Sequence, residues 1–541
     1  MARSASPAPR PPSDRRWWRA LAALLPLALA ACASLPTDYP RTVSTALTDT
    51  ADTALGRTAA RFSAEQQAPS GLRLLDRGLD AFVARLALAE VAERSLDVQY
   101  YIWHDDTTGR LLTAALLRAA DRGVRVRVIL DDIGTSPDDA RLLLLDAHAN
   151  IELRLFNPVA TRSARMLGFI VDPARSNRRM HNKSFTADNQ ATIVGGRNIG
   201  DEYFEARADL DFGDLDVLAV GEVVADVSAS FDEYWNSAAT FPIRALSRAE
   251  VGASELDAVR SALTAFVGSQ RGAAYAQALR ASDLTQQLLA GRLAFNAAQM
   301  RVLADDPAKV EQDEADKSAY LLPQMLPEFT ALSREFFLVS PYFVPGDGGV
   351  ESLKRLRARG VRVQILTNSL AATDVPAVHA GYAKYRRALL EAGVELYEVK
   401  ASARRADPKA AESGPAEASA KHSLTGSSRA SLHAKTMIFD CRQLFVGSMN
   451  VDPRSVFTNT EIGIMIDSPA VAAAACAQLA QGLPSNAYRV ELQPQPDGRP
   501  HLAWVSTDAG REVRLAEEPG GSAWRSFQAW FFSLLPIEPL L

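Results

Sequence analysis

A chain of 541 residues, 47% hydrophobic and 23% charged, has ordinary globular composition and room for two or more domains. Its formal charge of −5 supplies no global basic footprint for sequence-blind nucleic-acid binding, which weighs against a nuclease while leaving room for a local basic groove. Three cysteines, Cys32, Cys441 and Cys476, are too few and too scattered for a disulfide framework or a zinc site, and no metal or other cofactor is implied.

Residues 1–32 read as a targeting signal rather than as fold. Arg10, Arg15, Arg16 and Arg19 form a positive n-region, and Ala20 to Ala31 form an apolar run too short to be counted as a membrane span. The run ends in Leu29-Ala30-Ala31-Cys32, which resembles the lipobox of bacterial lipoproteins. That resemblance implies a lipidated Cys32 and a protein held on a membrane of the bacterial cell envelope, facing the periplasm. Ala33 after the cysteine, rather than Asp, fits the outer-membrane form of the pattern. Residues 33–69, rich in Thr, Ala and Ser, read as a tether with a short helix.

A first folded unit is expected over residues 70–245. Gly78 to Arg94 carries apolar residues at helical spacing, Leu96 to Trp103 reads as a strand, Gly109 to Arg122 as a helix stopped by Gly123, and Val124 to Leu130 as a second strand before Asp131-Asp132. Strand, helix, strand is the unit of an α/β sheet. Residues 246–325 are Ala- and Leu-rich and read as a helical connection.

The pattern then repeats over 326–475. Phe336 to Val344 reads as a strand and Gly349 to Arg359 as a helix. Gly360 to Leu366 echoes Gly123 to Ile129, and Val394-Glu395-Leu396 echoes Ile151-Glu152-Leu153. A repeat this long signals a duplicated domain rather than a solenoid. Residues 402–430 read as a flexible insertion in the second copy. The remaining 476–541 form a C-terminal extension whose Trp524, Phe527, Trp530, Phe531 and Phe532 belong either to a helix docked on the core or to an element dipping into a membrane interface.

The strongest signal is a pair of stretches, RMHNKSFTADNQATIVGGRN and SLHAKTMIFDCRQLFVGSMN. His181, Lys183, Asp188, Gly195 and Asn198 recur at the same spacings as His433, Lys435, Asp440, Gly447 and Asn450. On a strand, His433 and Lys435 project from one face, and Gly447 lets the following backbone approach so that Asn450 reaches the same place. A cation, an amide and an imidazole converging twice suit an anionic phosphate group: Lys neutralises it, Asn donates to it, and His attacks it or protonates its leaving oxygen. His104, His148, His379, His422 and His501 lack this context, although His379, within VHAGYAKYRR, is a candidate to line a substrate channel.

The motif H-x-K-x(4)-D followed by G-[GS]-x-N, in two copies, resembles the phospholipase D superfamily from about Gly71 to Asp467. The flanking sequences, VHAGYAKYRR and the terminal LLPIEPLL are similar to the bacterial cardiolipin synthase C type. The resemblance implies an α/β fold of two similar lobes, each a mixed sheet flanked by helices, related by a pseudo-twofold axis, with one site built from both. It places His181, Lys183, Asp188, His433, Lys435 and Asp440 in the catalytic set, with Asn198 and Asn450 on the phosphate, although in the family the motif Asp is mostly structural. Asp216, in DLDVL, and Glu461, in NTEIG, are the expected carboxylates orienting the histidines.

The implied reaction is ping-pong transfer of a phosphatidyl group, with His181 as nucleophile and His433 as acid and base. Phosphatidylglycerol as acceptor gives cardiolipin, and water makes the protein a phospholipid hydrolase. A superfamily nuclease is the other alternative. Phospholipids and a membrane surface are the expected partners, with no nucleic acid.

Overall fold

A computed structural model of the chain describes residues 34–541, except 136, 208–210, 248, 250, 312–316, 318–319, 402–429, 495–499, 509, 521–522, 536–537 and 539–540. The expectations for residues 1–32 with Cys32, for the insertion up to residue 429 and for His422 therefore lie outside the described residues.

The first lobe carries β1 (Ser70–Leu75), β2 (Ser95–Tyr100), β3 (Arg125–Asp131), β4 (Ile151–Phe156), β5 (Ser184–Ala187), β6 (Ala191–Gly195), β7 (Asp211–Gly213), β8 (Asp216–Gly221) and β9 (Thr240–Pro242). The second carries β10 (Asn296–Ala304), β11 (Glu335–Val339), β12 (Arg362–Asn368), β13 (Glu395–Val399), β14 (Ala430–Leu432), β15 (Lys435–Phe439), β16 (Gln443–Gly447), β17 (Ile462–Asp467), β18 (Ala487–Gln493), β19 (His501–Asp508) and β20 (Arg511–Leu515).

Hydrogen bonding orders the first lobe β9-β4-β3-β2-β5-β6-β8-β1 and the second β18-β13-β12-β11-β15-β16-β17-β10, so the lobes match strand for strand. In each, the three strands joined by crossover helices are parallel and the rest antiparallel. The matching strands β1 and β10 pair with one another, Ser70 opposite Ala298, which makes an 18-stranded sheet continuous through the pseudo-dyad. Strands β19 and β20 extend the second lobe's outer edge.

Strand alternation decides what each face buries. Ile193, Leu218 and Val220 face the helices of the first lobe, while Phe445 and Met465 face those of the second. Their neighbours Val194, Val217 and Ala219 turn the other way and pack on Leu444, Val446, Ile464 and Ile466. The lobes thus share a third core, and burying each of its larger aliphatic side chains is worth roughly 1.5–3 kcal/mol.

Three expectations change. The connection 246–325 is helical only at first, through Ala253–Gln270, Ala274–Ala281 and Asp283–Leu289; it then becomes β10, whose alternation of half-buried residues is short and easily masked by its alanines. The described part of the expected tether, residues 34–69, does not hang free: Arg41 donates to the Thr240 carbonyl, the Ala46 N–H donates to Asp232, and the helix Ala54–Gln66 buries Ala59 and Phe62 on the first lobe. Cys441 and Cys476 form a disulfide between the β15–β16 turn and the helix Pro469–Asn486; a single bridge needs only spatial proximity, which linear spacing does not report.

Candidate active site

Each motif histidine sits where its chain leaves a pairing with the opposite lobe. Met180 bridges to Thr460, and the His181 N–H donates to the Thr460 carbonyl at 2.8 Å before β5 begins. On the other side β14 pairs with β7 in a small parallel sheet of its own, and the His433 N–H donates to the Gly213 carbonyl at 2.8 Å before β15 begins. The expected unbroken strand through His433 is therefore two strands with a break at His433 and Ala434, because its first half belongs to a contact with the other lobe.

The side chains repeat this exchange. His181 Nδ1 lies 2.8 Å from Glu461 Oε2, a residue of the second lobe, and His433 Nδ1 lies 2.6 Å from Asp214 Oδ2, a residue of the first. With Nδ1 held by a carboxylate, Nε2 is the nitrogen left to meet a substrate. The Tyr101 ring meets His181 edge-on with centroids 5.1 Å apart; His433 stacks on Phe212 and meets the edge of Tyr203. Both imidazoles are almost fully buried. Lys183 and Lys435 donate to the carbonyls of His181 and His433, and Lys435 Nζ is also 3.0 Å from His433 Nδ1.

Asp216 is not the orienting residue. Its carboxylate forms a 3.0 Å ion pair with buried Arg85 and a second with Arg197. The strand register explains the difference. Gly195 pairs with Asp216 as Gly447 pairs with Gly463, so the equivalent of Glu461 lies two residues before Asp216, at Asp214.

The motif glycines make room for these carboxylates. A Cβ on Gly195 would lie 2.2 Å from an Asp216 oxygen, and one on Gly196 would lie 2.2 Å from an Asp214 oxygen. In the second lobe Ser448 stands in place of Gly196 and donates to Glu461.

Asp188 and Asp440 do not join the histidines. Each follows a hairpin strand at positive φ, about five strand residues and so roughly 16 Å past the motif Lys. Asp188 accepts the N–H groups of Glu93, Arg94 and Ser95, and Asp440 those of Ser333, Arg334 and Glu335. They anchor the starts of β2 and β11.

The two asparagines differ. Asn198 is held at both ends, accepting the Ile102 N–H and donating to the Tyr203 hydroxyl at 3.0 Å, whereas Asn450 Oδ1 is buried without a partner among the described residues. His379, the channel candidate, is buried against Glu518 and Arg386.

Several residues at the site carry no motif signal. Asp305 accepts the Glu461 N–H at 2.9 Å, and buried Lys309 donates both to Asp305 and to the Ser455 carbonyl. Ser455 in turn accepts the Asn450 N–H. Tyr101, Tyr203 and Phe212 gave no signal either, since an aromatic residue beside a strand reads as core.

Burial sets the charges. It pushes His181 well below the ordinary histidine range, and Lys183, Lys435 and His433 push the same way. Burial also lifts the Glu461 carboxyl to about 7 against the pull of Lys183, so this pair sheds charge on both sides. In the other pair, burial would raise Asp214, but His433, Lys435 and Arg197 outweigh it and keep the carboxylate ionised. His433 is lowered by burial and Lys435, with Asp214 opposing. Lys435 falls to about 8, again mainly through burial, and Lys183 falls further. The halves match in geometry and differ in electrostatics.

A duplicated α/β sheet with two His-Lys motifs meeting at one interface, each His oriented by the other lobe, defines a phosphoryl-transfer enzyme site of the phospholipase D type. Residues 86–235 and 328–482 match the family described as "Cardiolipin synthase, PLD-like domain", and the chain belongs to that family. It is 44% identical over 472 residues, 87% of its length and 96% of the relative, to cardiolipin synthase C of Escherichia coli strain K12. It is 32% identical to an uncharacterized protein of Helicobacter pylori strain J99, covering 78% of this chain and 80% of that one. Among solved structures, the phosphatidylserine synthase of Haemophilus influenzae shares the fold with a TM-score of 0.50 at 13% identity, over 80% of this chain and 92% of that one.

Proposed function

We propose that this enzyme is a phosphatidyltransferase that makes cardiolipin from phosphatidylglycerol and a second phospholipid, working at a membrane surface through a phosphohistidine. The observation that carries the reading is the crossed pair of contacts, His181 with Glu461 and His433 with Asp214, which holds one imidazole of each lobe by a carboxylate of the other, near enough for His433 to act on His181 electrostatically. The similarity to a cardiolipin synthase over most of both chains supports the choice of substrate.

In the first step His181 Nε2 attacks phosphorus and the bond from phosphorus to the headgroup oxygen breaks, while His433 gives its proton to that oxygen, which leaves as the headgroup alcohol. In the second, His433 takes the proton of the incoming phosphatidylglycerol hydroxyl, whose oxygen attacks phosphorus and frees His181. The roles follow the electrostatics. His181, neutral beside a carboxyl of about 7, suits the nucleophile, and His433, hydrogen-bonded to an ionised Asp214, is stabilised when it carries a proton. Lys183, Lys435 and Asn450 hold the phosphate oxygens.

Membrane attachment is supported by an apolar face. The helix Ala523–Ser533 lies against the helix Pro376–Ala383 yet exposes Trp524 at 62% and Trp530 at 58%, with Phe527, Phe531 and Leu534 beside them. Trp and Phe on a helix surface suit the headgroup boundary. Among the described residues no helix is long and apolar enough to cross a membrane. Lipidation at Cys32 would add a second attachment.

The test is incubation of the purified protein with phosphatidylglycerol, with and without phosphatidylethanolamine, followed by identification of the lipid products. Cardiolipin is expected, and phosphatidic acid as the sole product would make the enzyme a hydrolase. Radiolabelled phosphatidyl donor should become bound covalently to wild-type and His433→Ala protein and not to His181→Ala; the reverse would exchange the roles.

A further inference from the structure

The first lobe holds a cleft that the catalytic residues do not use. It has a volume of about 340 Å³ and lies on the outer face of β3 and β4, between the helices Thr107–Asp121 and Asp139–Asp146, beneath the helix Ala253–Gln270. Leu116, Val128, Leu145 and Leu153 form its floor and walls, and Leu263 and Phe266 descend from the roof. The roof is tied at one point by Arg260 to Asp121 at 2.8 Å and at another by Phe266 beneath the Arg110 guanidinium.

Two observations indicate what the cleft takes. Its polar groups are already satisfied: Arg110 and Arg141 are both paired with Asp105 at the mouth, Thr113 donates to the Gly109 carbonyl, and no side chain lining the cleft leaves a buried polar atom unpartnered. Such walls offer nothing to a polar ligand and gain only from apolar surface. The lining also comes close to the catalytic site along the chain. Trp103 and His104 line the cleft and pair with Ile199, next to Asn198, and Trp103 follows by two residues the Tyr101 whose ring lies against His181. That is about 7 Å of extended chain.

We propose that this cleft receives one acyl chain of the phospholipid whose phosphate lies between His181 and His433. The proposal rests on the phosphatidyltransferase reading for its catalytic consequence and on the cleft alone for binding. The Thr107–Asp121 helix and the roof then form a channel that orients the glycerol backbone, so that chain length is read alongside the phosphate.

The experiment uses the full chain and a phosphatidylglycerol carrying one fluorescent polyene acyl chain in mixed micelles, with energy transfer from tryptophan as the readout. Ala262→Phe fills the cleft from the roof and Thr113→Phe from the opposite wall; Ser261→Phe, on the outer side of the roof helix, is the control. Wild type and the control should bind the probe saturably, and each filling variant should weaken binding at least tenfold. The ratio of kcat/KM for dioleoyl over dihexanoyl phosphatidylglycerol should fall in both filling variants by a similar factor. Absence of saturable binding to wild type, or binding by both filling variants as tight as that of wild type, overturns the proposal. If no lipid is turned over by any of the proteins, the phosphatidyltransferase reading fails, while the binding curves still decide the cleft.

Discussion

Replacing Asp214 by Asn tests whether a carboxylate from one lobe supports the chemistry of a histidine in the other. Asp214 Oδ2 is 2.6 Å from His433 Nδ1, and its carboxylate is kept ionised. When His433 holds a proton, the charge centres are about 4 Å apart, and at an effective dielectric near 20 their attraction is about 4 kcal/mol. The amide keeps the shape and loses the charge, so kcat/KM for phosphatidyl transfer should fall about 1,000-fold. The pH profile should move with it. Asp214 raises the His433 pKa against burial and Lys435, so its removal shifts the loss of the protonated acid to lower pH. Initial rates of product formation between pH 5 and 9 read both effects. A fall of less than tenfold with an unmoved profile would refute the crossed-lobe mechanism.

Asp216→Asn should behave otherwise: it leaves buried Arg85 without its carboxylate counter-charge, so a loss of about 3–5 kcal/mol in unfolding free energy is expected, read from urea midpoints. Glu461→Gln should change the pH dependence of stability. A carboxyl raised to about 7 binds its proton more tightly when folded, so its contribution is fully present below about pH 4.5 and lost as pH rises to about 7, about 3 kcal/mol in all. The difference in unfolding free energy should therefore move in the variant's favour by that amount between pH 4.5 and 7.5, and a difference constant with pH contradicts the burial account. Asp188→Ala should lower the melting temperature by uncapping three N–H groups while kcat/KM per folded molecule stays within a few-fold; a thousandfold loss would return Asp188 to the chemistry. Cys441→Ser should cost about 4 kcal/mol through release of a 35-residue loop, read from unfolding midpoints with and without reductant.

The sequence by itself determined the duplication, the αβ units and the pair His181-Lys183 and His433-Lys435, because strand and helix periods and a repeated polar skeleton are local properties of the chain. It could not place β10, whose role is to join the lobes, nor tell Asp214 from Asp216. The two aspartates are two residues apart, and only the tertiary structure shows that the first, just before β8, meets an imidazole while the second, opposite Gly195, meets two arginines. Asp188 and Asp440 share the motif's spacing and stand away from the histidines because a strand carries them to the turn at the other end of the hairpin. The crossing of Glu461 to His181 and of Asp214 to His433 was decided by the tertiary structure alone. It depends on two sheets packing through Val194, Val217, Ile464 and Ile466, and a contact between residues some 200 or more positions apart leaves no trace in spacing or periodicity.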